Sequence, residues 1–207
     1  WYYGWGEYCI GDPRCINMVR AMQLPQDCYP ILLVGNEPNA IEPYGAPIHP
    51  ADAAEKARTI EMQCPQTKLI VGNVSADDWD RAGGWGSGEN WLRQFLRDYR
   101  SLTGRKYSGV LSAHCYVSEN ADYCLTRLRQ MRNVYAGEFW ITEFGVQTGD
   151  LKQFQRMYQY ISTHFTRWAA YSNRQPHTGE GWELAAGVEM VNSDGTLSPI
   201  GAWYAQR

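Results

Sequence analysis

The chain carries little charge and no long apolar run. Charged residues make up 20% of its 207 positions and the formal net charge is −3. That balance gives no electrostatic reason to expect nucleic acid or an anionic membrane as a partner. No apolar stretch approaches the ~20 residues a membrane-spanning helix needs. Internal repeats, low-complexity tracts and linkers are missing too. No cysteines show the C-x₂-C spacing of a zinc site, no Gly-rich phosphate loop follows the first apolar run, and no G-x-S-x-G nucleophile elbow occurs. Neither a metal nor a cofactor is therefore expected. No signal-peptide pattern is present, and a start at Trp1 without Met reads as a processed or trimmed end.

What the chain does have is rings and paired cysteines. Aromatic residues reach 14%, with nine Trp and fourteen Tyr. Most must be core, but Trp79, Trp85 and Trp91 lie in or beside a Gly-rich polar stretch, where faces that stack on sugar rings explain them better. Cys9–Cys15 and Cys115–Cys124 are close enough in sequence for two local disulfides, and Cys28–Cys64 is a candidate third. An even count fits an oxidising compartment, so a secreted or extracellular protein is expected. Six free thiols in a cytosolic protein is the alternative.

Strand-like and helix-like segments alternate throughout. Four amphipathic helices stand out. Pro50 opens one with Ala53, Ala57 and Ile60 on its face. Asn90 can cap a second, carrying Trp91, Phe95, Tyr99 and Leu102 and stopping near Gly104. Asn120 opens a third with Ala121, Leu125 and Leu128 inward. The longest starts near Asp150, with Leu151, Phe154, Tyr158, Ile161, Phe165 and Trp168 on one stripe. Short apolar runs between them read as strands: Trp1–Trp5, Cys15–Val19, Ile31–Val34, Leu69–Val71, Val110–Tyr116, Phe139–Ile141 and Ala185–Val191. The pattern predicts an α/β protein with a parallel sheet, residues 1–207 forming one domain. A compact (β/α)₈ TIM-barrel type fits best, although such barrels normally take ~250 residues. The count is one strand short, and the missing strand is the first. Either it precedes Trp1 in a longer chain or the barrel lacks it.

Two glutamates 106 residues apart carry the chemistry. Val34-Gly35-Asn36-Glu37-Pro38-Asn39 and Trp140-Ile141-Thr142-Glu143-Phe144-Gly145 each put a carboxylate where a strand gives way to a loop. Two carboxylates on one rim of a parallel barrel are the minimal equipment for cleaving a glycosidic bond. At period two, Leu33, Gly35 and Glu37 share a face, as do Phe139, Ile141 and Glu143, and Ser112, His114 and Tyr116. Gly35 lets the backbone turn, and Pro38 keeps a helix from starting on Glu37. Asn73, closing the strand at Leu69–Val71, is a candidate sugar contact.

These segments resemble the clan A glycoside hydrolases, and more closely the endo-β-1,3-glucanase-like proteins of glycoside hydrolase family 128. The resemblance rests on Tyr2-Tyr3-Gly4-Trp5, Leu32 to Pro38, Trp91 to Phe95, His114 to Tyr116, Trp140 to Phe144, and Asp194 to Tyr204, in that order along nearly the whole chain. It implies that Trp1–Trp5 is the second barrel strand and Ile31–Val34 the fourth. It implies a retaining mechanism, with Glu143 as nucleophile and Glu37 as acid/base, carboxyls only ~5 Å apart and the proton of Glu37 held at the higher pKa. Asn36 would bind the sugar 2-hydroxyl, and His114 and Tyr116 would hold Glu143 or the sugar. Tyr3, Trp5, Asn73, Trp79 and Trp182 complete the expected substrate contacts. Three departures stand out: Gly35 replaces a large residue, Asn39 stands where aspartate is usual, and the eighth strand, expected at Ala186–Met190, lacks the Trp that floors the sugar site, for which Trp182 can substitute.

The expected function is a monomeric, endo-acting retaining hydrolase of β-glucan, β-1,3-glucan first, with a polysaccharide or oligosaccharide as its partner. A carbohydrate-binding pseudoenzyme on the same barrel, or a clan A hydrolase for mannan, xylan or galactan, remains the alternative.

Overall fold

The computed structural model describes residues 2–3, 9, 12, 14–42, 45–78, 83–118, 120–171, 189–192 and 194–207, with only the backbone of Tyr2. Seven strands form one sheet in chain order: β1 (Tyr2–Tyr3), β2 (Cys15–Val19), β3 (Ile31–Val34), β4 (Lys68–Ser75), β5 (Val110–Val117), β6 (Phe139–Val146) and β7 (Arg167–Ala170). Every pairing is parallel. Helices α1 (Pro50–Gln63), α2 (Gly88–Thr103), α3 (Ala121–Val134) and α4 (Leu151–His164) connect β3 through β7, and α5 (Pro199–Tyr204) follows near the end.

Buried side chains sort into two groups. Leu32, Val34, Val71, Leu111, Phe139 and Ile141 face the helices and pack with Ala57, Phe95, Leu128 and Phe154. Ile16, Met18, Leu33, Ile70, Val110 and Trp140, drawn from β2 to β6, form a second cluster on the opposite face. One cluster can gather residues from both the second and the sixth strand only if the sheet curls around it. The fold is thus a curled α/β half-barrel, compatible with the expected barrel type; among the described residues β7 pairs only with β6.

The helices begin and end for local reasons. His49 Nδ1 accepts from Ala51 N–H ahead of Pro50, and Asn120 and Asp150 cap α3 and α4. The cap of α2 is Ser87, three residues earlier than the expected Asn90, whose own N–H is what Ser87 Oγ receives. Leu102, read as inward, is 45% exposed at the far end of α2.

The largest departure from the sequence reading is at residues 165–170. The stripe on α4 runs on to Trp168 at helical spacing, but the helix ends at His164 and Arg167–Ala170 is the seventh strand. Sheet pairing overrides the stripe: Ile141 pairs with Trp168 and Phe144 with Ala170. The apolar contact survives the change, because Trp168 still meets Tyr158 edge-on at 6.1 Å. Most of the strand expected at 185–191 lies outside the described residues; of the rest, Val191 makes an isolated bridge with Leu197.

Two bulges shape the rim of the sheet. Between Val71 and Val74, β4 carries one residue more than its partner β5, and between Ile141 and Glu143, β6 carries one more than β5. The first contains Gly72 at φ +118° and Asn73 at φ +48°. A Cβ on Gly72 would stand 2.9 Å from the Ser112 carbonyl oxygen, so only glycine fits. The second turns Thr142 and Glu143 inward in succession. Plain alternation put Phe139 and Ile141 on the face of Glu143; in the structure both face the helices, and the bulge is the reason.

Asn73 locks the bulges together. It is fully buried. Its Oδ1 accepts from Ser112 Oγ at 2.6 Å and Thr142 Oγ1 at 2.7 Å, and its Nδ2 donates to the Gly35 carbonyl at 2.7 Å. β4, β5, β6 and the exit of β3 therefore meet on one amide.

The expected disulfides are all present: Cys9–Cys15, Cys28–Cys64 and Cys115–Cys124.

Two outcomes are expected. Replacing Asn73 with Ala should lower stability by about 3 kcal/mol, because buried partners lose their bonds, and should depress activity more than Thr142→Val does; chemical denaturation beside a rate measurement checks both. Replacing Cys28 and Cys64 together with Ser should cost about 4 kcal/mol in the chain-entropy account of a 36-residue separation, read as a denaturation midpoint below that of the oxidised wild type and above that of the fully reduced wild type, which loses all three disulfides.

Candidate active site

Glu37 and Glu143 leave adjacent regions of the rim by different devices. Past β3 the chain turns at Gly35, φ +91°, and places Glu37 itself at φ +46°. A left-handed glutamate is strained and persists only where its surroundings over-determine it. Here Glu37 N–H donates to the Asn73 carbonyl at 3.0 Å and its own carbonyl accepts from Ala40 N–H at 2.9 Å. The neighbouring carbonyls of Asn36 and Pro38 accept from Ala46 and Ile48 at 2.8 and 3.1 Å. Glu143 arrives by the β6 bulge, opposite His114 in register.

His114 is the meeting point. Its Nδ1 lies 3.3 Å from Glu37 Oε1 and 3.5 Å from Glu143 Oε2. Two oxygens that close to one nitrogen are separated by no more than the sum of those distances, about 7 Å. Glu143 also accepts hydrogen bonds from Tyr3 through Oε1 and Tyr116 through Oε2. His114 and Glu143 are nearly shut off from solvent, at 1% and 5% exposed, while the Glu37 side chain keeps 14% of its surface exposed.

The electrostatics follow from that crowding. Burial lifts the pKa of Glu37 above the ordinary carboxylate value; hydrogen bonding and attraction to His114 oppose the rise, and the charges of Glu143 and Asp77 add to it. For His114, burial by itself favours the neutral ring, but the charge of Glu143 and the hydrogen bond and charge of Glu37 outweigh it, so its pKa rises. Tyr3 and Tyr116 are pushed well above the phenol range, first by burial and then by Glu143. They are firmly protonated donors. The site thus sets a carboxyl whose pKa burial raises beside a second carboxyl that accepts from two phenols.

The other expected contacts divide. Tyr3 and Tyr116 have their hydroxyls on Glu143. Asn36 is 2% exposed and its Oδ1 has no hydrogen-bond partner among the described residues. Asn73 stands behind the rim, with its amide engaged in the sheet. Trp91 is core, stacked on Phe95 at 5.6 Å. Trp85 is 45% exposed. Trp5, Trp79 and Trp182 lie outside the described residues.

Sequence reasoning missed Thr142 and Tyr171. Thr142 sits beside a candidate nucleophile, and only the bulge makes it a partner of Asn73. Tyr171 meets Tyr116 edge-on at 5.8 Å, and its N–H donates to the Phe144 carbonyl at 2.9 Å; it was hidden by reading the preceding residues as helix. Among the described residues no cluster of His, Cys, Asp or Glu is arranged to hold a metal ion.

Comparison with known proteins bears on this geometry at two levels. No curated protein sequence matches the chain. Among solved structures, it is similar to a family 128 (subgroup IV) endo-β-1,3-glucanase from Lentinula edodes, with 16% identity, a TM-score of 0.73, and coverage of 97% of this chain and 86% of that one. A subgroup I endo-β-1,3-glucanase from Amycolatopsis mediterranei in complex with laminaritriose gives 17% identity and a TM-score of 0.70, covering 100% and 89%. A subgroup VII oligosaccharide-binding protein from Trichoderma gamsii gives 17% and 0.66, covering 100% and 85%. At such identities these likenesses establish a shared fold. Residues 1–204 match the family described as the glycosyl hydrolase catalytic core, and with that match along essentially its whole length the chain belongs to this family and is a glycoside hydrolase of family-128-like fold.

Proposed function

We propose that the protein is a retaining, endo-acting hydrolase of β-glucan, with β-1,3-glucan as its preferred substrate, secreted, and acting as one catalytic domain over residues 1–207. The observation that carries this reading is the single imidazole nitrogen within 3.5 Å of both glutamates. It holds Glu37 Oε1 and Glu143 Oε2 within about 7 Å of each other, a limit compatible with the ~5–5.5 Å spacing of retaining enzymes. The three disulfides suit an oxidising compartment.

In this mechanism Glu143 attacks the anomeric carbon, while Glu37, protonated at rest, gives its proton to the departing glycosidic oxygen. Water then enters from that side, Glu37 takes its proton, and the glycosyl–Glu143 bond breaks. Tyr3 and Tyr116 hold Glu143 aimed before attack. As its charge is spent on the new bond, their hydrogen bonds weaken, and they strengthen again when the carboxylate leaves. The open Oδ1 of Asn36 suits a sugar hydroxyl as donor, a contact that tightens as positive charge builds on the ring.

A second reading has one observation in its favour: a structural neighbour with a TM-score of 0.66 is an oligosaccharide-binding protein. A binding protein has no need of two carboxyls converging on one buried histidine, one of them with its pKa raised by burial, so catalysis is preferred.

Glu143→Gln and Glu37→Gln should each lower the release of reducing ends from β-1,3-glucan by at least about 10³-fold while leaving folding intact. Wild-type silence across a polysaccharide panel, with binding retained, would favour the binding-protein reading. The pH profile has a defined sign as well. Rate should fall as pH rises through the raised pKa of Glu37, because the acid form is lost. His114→Asn removes the group that lowers that pKa, so the alkaline limb of kcat/KM should move to higher pH; a move to lower pH would contradict the assignment.

A further inference from the structure

We propose that the groove between the start of α1 and the first turns of α2 is a second glycan site, holding a β-1,3-glucan chain outside the catalytic rim through the exposed ring of Trp85. This inference rests on the β-glucanase function proposed for the rim.

The groove encloses about 520 Å³ and is lined by His49, Pro50, Trp85, Asn90, Gln94 and Arg97, among others. Its volume lies within the roughly 300–1,000 Å³ typical of small-molecule sites. Trp85 is a large ring left nearly half exposed, and it is nonetheless held in place. His49 meets it edge-on at 4.7 Å. Its backbone N–H donates to the Asn39 carbonyl at 2.9 Å, and the Asn39 amide donates to the carbonyls of Gly86 and Ser75 at 3.2 and 3.1 Å. Asn39 is two residues from Glu37. The residue that carries the exposed ring is therefore tied through its backbone to the same loop as Glu37.

The chemistry of the lining selects the ligand. The Trp85 indole N–H and the Asn90 amide have no hydrogen-bond partner among the described residues. Arg93 is already neutralised by Glu89 at 2.8 Å. Arg97 binds the Gln94 side-chain oxygen and has no carboxylate partner among the described residues. A flat ring edged by planar donors, with most of its charge compensated, suits a neutral polyhydroxylated ring better than an anion. A glucosyl unit stacks one face on the indole while its hydroxyls meet Asn90 and Arg97.

Affinity electrophoresis in gels containing soluble β-1,3-glucan, with Glu143→Gln as the parent so that the matrix survives, tests the site. Adding Trp85→Ala should weaken retardation by at least about fivefold, since an aromatic stacking contact is lost. Asn90→Ala, a milder surface change, should weaken it in the same direction. In the chain with Glu143 intact, Trp85→Ala should leave kcat/KM on a short β-1,3-gluco-oligosaccharide within about twofold, which also shows that the variant folds. Unchanged retardation in both variants, with the intact chain still cleaving the glucan, overturns the groove and leaves the functional reading standing. A loss of short-oligosaccharide cleavage in step with binding overturns the groove as a separate site, because Trp85 then belongs to the catalytic cleft. An intact chain that neither binds nor cleaves the glucan overturns the functional reading and the groove together.

Discussion

The amide of Asn73 is the constraint on which the rest of the structure depends. A regular parallel sheet sends alternate side chains to opposite faces, so each strand delivers one residue per level to the concave side. Converging Glu37, His114, Glu143 and two phenols on one small volume requires that alternation to be broken. The bulges in β4 and β6 break it, and a bulge leaves backbone and side-chain groups that no longer match a partner strand. Asn73 absorbs that mismatch with an acceptor for two hydroxyls, a donor for the Gly35 carbonyl and a backbone carbonyl for Glu37 N–H. Each bond lies in the dry interior, where an unmade one is costly, so the strained turn at Glu37 has no cheaper arrangement to relax into.

Burial then does the electrostatic sorting. Two carboxylates near one another and away from water cannot both stay ionised cheaply. Among the described residues Glu143 has two phenolic donors, from β1 and β5, while the Glu37 side chain has only the shared histidine. Burial accordingly raises the pKa of Glu37, and the histidine offsets only part of that rise. The contact from Tyr3 to Glu143 spans 140 residues and joins the first strand to the sixth, so the curl of the sheet is itself part of how one carboxyl is distinguished from the other.

How much of this was legible depends on periodicity. The runs at Cys15–Val19 and Ile31–Val34 became strands with those bounds, and α1, α3 and α4 start at the expected caps, because apolar spacing and capping residues are local signals. Arg167–Ala170 was not legible: Phe165 and Trp168 continue the helical stripe, and only pairing with β6 separates them from it. The face of Glu143 was misread for a related reason. A bulge is a relation between two strands, and Thr142 looks like an ordinary alternating residue until its partner's register is known. The positions of the two candidate glutamates were nonetheless legible, since a glutamate after Gly-Asn and before Pro, and another closing an aromatic β-rich run, announce strand ends by themselves. The network through Asn73 was not, because nothing in a Val-Gly-Asn-Val segment says that three other strands will converge on it.

Asn39 shows how a departure from the family pattern can follow from the same physics. The resemblance leads one to expect aspartate there. In this chain the side-chain nitrogen donates to the carbonyls of Ser75 and Gly86 while the oxygen accepts from Ser75 N–H at 2.8 Å, in a fully buried position. An ionised aspartate has no donor to offer those carbonyls and would set a carboxylate oxygen against them. It would also bring another negative charge toward a carboxyl whose proton is already held by burial and by neighbouring charges. The neutral amide instead joins the end of β4, the loop bearing Trp85 and the loop bearing Glu37 without adding charge. Asparagine at this position therefore matches the buried, donor-demanding junction that this particular rim has built.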